Sequence, residues 1–231
     1  MMCGELIVVD CETTGFDPAT DRVVEVAWCW AKDPRRCASR LVDPGIPIPP
    51  EASAVHHLTD RDVVWAPCLQ EVVDELLDEA GPDAIWIAHN SRFDAQFLPL
   101  PGRWIDTYRC ALECWPDAPG HSNQVLRYWL RLYDLPAMRD LPPHRAGHDA
   151  VVTCMIHREL SHQMTTARML EVSSRPALLP TIRFGKHAGQ RFADLPRDYI
   201  AWMVRQDFDE DVMHTARHWL EGGALAMEGG R

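Results

Sequence analysis

The chain has 231 residues, 46% of them hydrophobic and 25% charged, which suits one medium soluble domain with a small second one. Its formal net charge of −11 opposes broad, nonspecific attraction to nucleic acid but is compatible with a nucleic-acid enzyme whose acids are gathered in a metal site. With no run of 18 apolar residues and no basic leader followed by an apolar stretch, neither a membrane span nor a signal peptide is expected, and a cytoplasmic setting follows.

In chain order, Glu5–Cys11, Val23–Ala31 and Cys37–Val42 are predicted strands joined by short connections, as in an antiparallel meander. The stretch "PGIPIPPEAS" then interrupts regular structure. From Thr59 the pattern turns helical, and Leu69–Gly81 has apolar residues at helical spacing with a closing glycine. Ala84–Asn90 is a fourth strand, followed by a helix over Ser91–Phe97 with Ser91 or Asn90 as its cap. Trp104–Thr107 is a fifth strand, and Ser122–Tyr133 and Ala146–Met164 are amphipathic helices. This order predicts an α/β fold with a mixed five-stranded sheet flanked by helices.

The pattern weakens between Thr165 and Pro180, and residues 169–178 are read as a linker after a domain spanning 1–168. Residues 179–231 form a small α+β module, with a short hairpin and two helices ending near Gly222. The eight scattered cysteines are read as reduced cytosolic thiols.

Chemistry concentrates in four acids. Asp10 and Glu12 in "DCETTG" close the first strand, and side chains two apart on a strand share a face. Two carboxylates that close repel unless something neutralises them. Asp94 in "AHNSRFD" lies one turn into the helix after the fourth strand, and Asp149 in "HRAGHD" opens the long helix. Singly, each has a plain structural use, in a solvated turn or against a helix dipole. Together they offer the oxygen ligands that hard divalent ions prefer. Two such ions about 3.5–4 Å apart can stabilise both the attacking and the leaving oxygen of a phosphoryl displacement.

The order and contexts of these acids resemble the DnaQ-like 3′→5′ exonucleases, which carry four acids and one histidine. Asp10 and Glu12 match the first motif, Asp94 the second, and His144 with Asp149 the third. His144 lies five residues before Asp149 and Arg145 four before, so the histidine (DEDDh) subgroup is indicated and not the tyrosine one. The resemblance covers residues 5–165. The C-terminal "FGKHAGQRFADLP" with "YIAWM" resembles the module of the exodeoxyribonuclease X type, extending the match over nearly the whole chain.

The resemblance implies a ribonuclease H-like fold and a metal-dependent exodeoxyribonuclease that releases 5′-mononucleotides from DNA 3′ ends. Asp10, Glu12, Asp94 and Asp149 would hold two Mg²⁺ ions, with Mn²⁺ as a substitute. His144 would be the general base, since a neutral imidazole can take a proton from the attacking water near pH 7. Substrate contacts would come from Thr13 and Thr14, from Phe16 stacking on the terminal base, from Glu51 and His56 in "PEASAVHHLT", and from Asn90. The plain readings are a turn for the threonines, a core site for Phe16, a helix start for Glu51, packing for His56 and a helix cap for Asn90. The partners implied are single-stranded or duplex DNA ends, with no membrane and no obligatory protein. RNA trimming and a polymerase-bound proofreading role are the rival functions. In the module, Arg183, Lys186, Arg191 and Arg197 face a single acid over Thr181–Arg197, with Phe184, Phe192 and Tyr199 interleaved. That pattern could hold a DNA backbone outside the active site, or be the solvated basic face of a small packing module.

Overall fold

In the computed structural model, which describes residues 4–134 and 143–222, strand β1 (Leu6–Thr13) sends its side chains alternately into two apolar layers. Ile7, Val9 and Cys11 enter one and Val8 enters the other, as a strand covered on both faces requires. Strand β2 (Val23–Trp30) pairs antiparallel with β1, and β3 (Asp33–Leu41) antiparallel with β2. Strands β4 (Ile85–Ala88) and β5 (Arg103–Asp106) run parallel to β1 on its other side. The result is the expected mixed sheet of five strands, in the order β3-β2-β1-β4-β5.

Helices α3 (Leu69–Ala80) and α4 (Ser91–Phe97) cover one face, packing Val72, Val73, Leu76 and Phe97 against Ile7, Val9, Trp28 and Trp86. The other face is covered by α5 (Thr107–Cys114), α6 (Asn123–Trp129), α7 (Ala146–Ser161) and α8 (Thr166–Ser173). There Ala111, Leu126, Ile156 and Met169 meet Val8, Ala27, Ile87 and Ile105. Each such fully buried aliphatic side chain contributes about 1.5–3 kcal/mol.

Several local expectations are corrected. The proline-rich stretch contains helix α1 (Pro50–His56), because proline at a first helical position loses no hydrogen bond. A short α2 (Asp60–Val63) follows, its start tied by the Asp62 carboxylate accepting the Thr59 N–H at 2.7 Å. Helix α5 was not predicted; Asp106 starts it by accepting from the Tyr108 and Arg109 N–H groups. The helix expected over Ser122–Tyr133 stops at Trp129, and a 3₁₀ turn at Leu132–Asp134 follows it. Cys29 and Cys37, expected as free thiols, form a disulfide because they are direct partners across β2 and β3.

The segment read as linker begins as helix α8, whose Met169 and Val172 are buried in the main core. In the module the expected hairpin is reduced to a single bridge, Thr181 to Arg191, with 3₁₀ turns at Gly185–His187 and Phe192–Asp194. Gly185 at φ +67° and Gly189 at φ +86° turn the chain back before a second strand can pair. Helices α9 (Arg197–Met203) and α10 (Glu210–Leu220) complete a core of Ile182, Phe192, Leu195, Ile200, Met203, Val212 and Ala216. Among the described residues the module is mostly helical, with one isolated bridge as its β element. The tail expected beyond Gly222 lies outside the described residues.

Candidate active site

Asp10 and Glu12 continue the Val8 side of β1, the side covered by α7. Both keep some contact with solvent. Between them, the Cys11 N–H donates to Asp94 Oδ1 at 3.2 Å, so the first turn of α4 reaches the strand end. Asp94 is only 3% exposed. Asp149, in the first turn of α7, accepts from Gln124 Nε2 at 2.8 Å and from the His144 N–H at 2.7 Å. A strand end and two helix starts thus bring the four predicted acids to one place.

Their electrostatics are those of crowded, uncompensated carboxylates. Burial, then the charges of Asp94, Asp149, Glu12 and Glu25, hold Asp10 well above the usual carboxylate range. Glu12 is pushed up to about 8 by burial and by Asp149, Glu25 and Asp94, with Arg145 opposing. Burial raises Asp94 to about 7 against its hydrogen bonds from Cys11. Asp149 is raised by burial, against the hydrogen bonds from His144 and Gln124. Four buried oxygen donors with raised proton affinity, two of them raised by the others' charges, fit divalent cations of the Mg²⁺ type. Among the described residues, no three acidic, histidine or cysteine side chains already surround one point at ligand distance, so an ion would have to draw them together.

A fifth carboxylate went unnoticed in the sequence. Glu25 stands directly across from Glu12 in the β1–β2 register and is 2% exposed. It accepts from Arg145 Nε at 2.9 Å, Arg145 Nη2 at 3.0 Å, Ser39 Oγ at 2.7 Å and the Ala146 N–H at 3.1 Å. Those bonds pull Glu25 below its ordinary value in spite of its burial, which is the largest single influence and acts the other way. Glu25 is thus an anchor for the start of α7, not a further ligand. Next to Arg145, His144 is exposed and sits at φ 60°, a left-handed conformation that costs a non-glycine residue about 1–3 kcal/mol. Its backbone bond to Asp149 fixes that conformation and leaves the ring facing solvent.

The expected substrate contacts divide. Thr14 is spent on its turn: its hydroxyl donates to Asp21 and accepts the Arg22 N–H, and its own N–H donates to the Arg22 carbonyl. Thr13 directs its hydroxyl to the Gly15 carbonyl at 2.6 Å. Phe16 is no core residue; it is 86% exposed and meets only the edge of Phe93, at 6.2 Å between ring centres. His56 is buried beneath Thr13, with Nδ1 accepting the Leu58 N–H and Nε2 lacking a partner. Glu51 is exposed on the first turn of α1, and nothing ties it to the acids. Asn90, at φ 70°, does not cap α4 with its side chain, which lines a cleft instead.

Asp106 takes over that cap. Its carboxylate accepts from the Asn90 and Ser91 N–H groups at 3.1 and 3.2 Å, besides starting α5. Arg109, 3% exposed, lies 3.7 Å from Asp106 and binds both oxygens of Asp211 in the module at 2.8 and 2.9 Å. It also donates to the Arg175 carbonyl. An aspartate before "TYR" was a readable helix-start signal, but its reach to a second helix was not.

The described helices include none long and apolar enough to cross a membrane. A family model described as "Exonuclease" matches residues 7–157, and one described as "Putative quorum-sensing-regulated virulence factor" matches residues 177–215. Exodeoxyribonuclease 10 of Escherichia coli (strain K12) is 30% identical over 226 residues, covering 94% of this chain and 99% of that protein. DNA polymerase III subunit epsilon of Treponema pallidum (strain Nichols) is 30% identical over 163 residues, covering 63% of this chain and 71% of the other. A solved structure, "Exonuclease X in complex with 5' overhanging duplex DNA", superposes with a TM-score of 0.64 at 30% identity, covering 73% of this chain and 99% of that one. The gathered acids, the ribonuclease H-like sheet and these matches agree: the chain belongs to the exonuclease family and is a nuclease, a hydrolase of phosphodiester bonds.

Proposed function

We propose that the protein is a 3′→5′ exodeoxyribonuclease that releases 5′-mononucleotides from DNA ends. The observation that carries the reading is the convergence of Asp10, Glu12, Asp94 and Asp149, each raised by burial, with Arg145 opposing only at Glu12. These four are assigned as ligands of two Mg²⁺ ions, with Mn²⁺ as substitute. When bound, the ions supply Lewis-acid stabilisation to the attacking and leaving oxygens. His144, exposed on the loop before α7, takes the proton from the attacking water as the 3′-terminal phosphodiester is cleaved. Phe16 offers its free face to the terminal base. Asn90, which lines the neighbouring cleft, is assigned to the nucleotide beyond it.

Support for DNA as the substrate comes from relatives named for acting on it or solved with it. The catalytic unit we assign runs through Ser173, because α8 belongs to its core, and not to residue 168 as the sequence suggests. The reading keeps the protein cytoplasmic. The decisive assay supplies purified protein and Mg²⁺ with single-stranded DNA, duplex DNA and RNA, each labelled separately at the 5′ and 3′ end. Expected is a descending ladder of 5′-labelled DNA and immediate release of 3′-labelled mononucleotide. Preferential shortening of RNA, or release of 5′-labelled mononucleotide first, would overturn the substrate or the polarity respectively.

A further inference from the structure

Trp202 is 41% exposed, on α9, at the outer edge of the module's apolar core. Its ring stacks on Tyr199 at 5.3 Å between centres and 30° between planes, and meets the edge of Phe208 at 6.0 Å. Lys186 Nζ lies 5.3 Å from the centre of the Tyr199 ring, and the His187 ring stands edge-on to Tyr199 at 4.5 Å. Gly185 is required there: a Cβ on it would meet the Tyr199 hydroxyl at 3.0 Å. Lys186, His187, Pro196, Asp198, Tyr199 and Trp202 together line a pocket of about 390 Å³.

An open aromatic shelf with an ammonium at its edge suits a flat, π-rich, anionic ligand. Charge narrows the choice further. The chain carries −11 overall, yet Lys186, one of its only two lysines, has no carboxylate partner among the described residues. Asp198, the one acid in the pocket, accepts the N–H of Tyr199 at 2.9 Å and keeps its charge, so it leaves the stacking surface, not a net positive charge, as the pocket's main feature. Arg197 is exposed beside it.

The shelf is also connected to the catalytic side. A second cleft of about 460 Å³ lies between the module and the starts of α4, α5 and α6, lined by Asn90, Tyr108, Asn123, Arg183 and Phe184 among others. Asn123 Nδ2 donates to the Asp149 carbonyl at 3.2 Å, which places one end of the cleft beside an assigned ligand. Arg183 lies 5.9 Å from the centre of the Tyr108 ring, and Phe184 stacks on Phe208, which touches Trp202. Of the acids of this cleft, Asp211 is paired with Arg109, and Asp209 accepts the N–H of Asp211 as the start of α10.

We propose that the Lys186–His187–Tyr199–Trp202 pocket is a second binding site for single-stranded DNA, in which an unpaired base of the substrate strand stacks on Trp202 away from the cleaved end. The proposal rests on the exonuclease reading for the identity of the strand. Stacking of this kind is sequence-tolerant, because every base has a π face, and a nearby cation adds a phosphate contact.

The test uses the full chain. Binding of 5′-labelled dT3 and dT20 is measured by fluorescence anisotropy in EDTA for wild type, Trp202→Ala, Trp202→Phe and Lys186→Gln, with thermal melts as the check on folding. Trp202→Ala should weaken dT20 binding about 5- to 100-fold and leave dT3 unchanged. Trp202→Phe should restore most of the loss, and Lys186→Gln should lower the log–log salt slope for dT20 by about one. Wild-type affinity of Trp202→Ala for dT20 would overturn the proposal, as would an equal loss on dT3 and dT20. So would a change in sedimentation of the free protein with no change in DNA affinity, which would make the shelf a contact between copies. Cleavage of dT3 with Mg²⁺ is scored in parallel. Its absence in wild type would sink the exonuclease reading itself, whereas its presence alongside unchanged dT20 binding by Trp202→Ala would sink only the shelf.

Discussion

Arg145 donates two hydrogen bonds to Glu25 across 120 residues of sequence, and Glu25 is the residue paired with Glu12 in the sheet. The ion pair therefore pins the loop that bears His144 to the strand next to the acids. Arg145 keeps 37% of its side chain in water. Removing it should cost about 1–3 kcal/mol, below the roughly 3–5 expected for a wholly buried pair. Arg145→Ala should lower kcat about 10- to 100-fold with little change in KM, because a loosened loop misplaces the base without altering strand contacts. Arg145→Lys should recover only part, since it cannot reproduce the two-pronged contact. A variant with normal kcat and reduced melting temperature would make the pair purely structural.

His144→Ala should reduce cleavage by about 10²–10⁴ at neutral pH while cation binding persists. His148→Ala is the control, because His148 sits within α7 next to Asp149 and is assigned no proton transfer. Isothermal titration with Mn²⁺ separates the two functions: His144→Ala should bind as wild type does. If His148→Ala is the inactive variant, the base has been misassigned.

Metal and protons should compete in a predictable direction. Glu12 at about 8 and Asp94 at about 7 bind more protons in the folded protein than ordinary carboxylates do in the unfolded chain. Stability of the cation-free protein should therefore be lost as pH rises toward those values. The buried His89 and His157, both lowered by burial to about 4, act oppositely, adding stability as pH rises through their window between about 4 and 6.5. Above pH 6.5 only the acids contribute, so the cation-free melting temperature should fall between pH 6.5 and 8. Mg²⁺ should raise it by more at pH 8 than at 6.5. Glu12→Gln should flatten the cation-free slope and shrink the Mg²⁺ increment. A slope unchanged in that variant would count against the assigned cluster.

Much of this site was legible because strands and helix starts obey short-range rules. Two acids spaced by one residue on a strand must share a face, and a carboxylate one turn into a helix is carried toward whatever the helix start approaches. Glu25 was not legible, since its partners Arg145 and Ala146 lie far along the chain and nothing near Glu25 marks it. Helix α5 escaped because "TYRCALEC" is short and its start depends on Asp106, which reads equally well as the end of a strand. The module's hairpin was over-read: glycines that permit a turn do not specify that strands pair on either side of it.

Phe16→Ala should leave stability unchanged, given 86% exposure, and weaken binding of the 3′-terminal nucleotide by about 1–3 kcal/mol. The comparison that isolates this is KM for dT3 against KM for a trimer whose terminal nucleotide is abasic. Equal KM values for wild type and variant on dT3 would remove Phe16 from the contacts.

Asp211→Asn should cost about 2–3 kcal/mol in urea denaturation, because Arg109 loses its two-oxygen partner while Asp106 remains 3.7 Å away. Cutting the chain after Ser174 removes that partner as well, so a truncated protein should be sound only with Arg109→Met in addition. A truncated protein as stable as the full chain would mean that Asp211 contributes little.

Asp106 holds the starts of both α4 and α5, and Arg109 joins that carboxylate to Asp211 on α10. Segments tied to one buried group open together or not at all, so these three helices should exchange their amide hydrogens as a single cooperative unit. A protease that nicks the exposed residues near Ser174 and Arg175 should then leave both fragments associated under native conditions, parting only in denaturant. Two stretches that match two separate family models would in this way have a common unfolding threshold, and damage to either would shorten the life of the other in the cell.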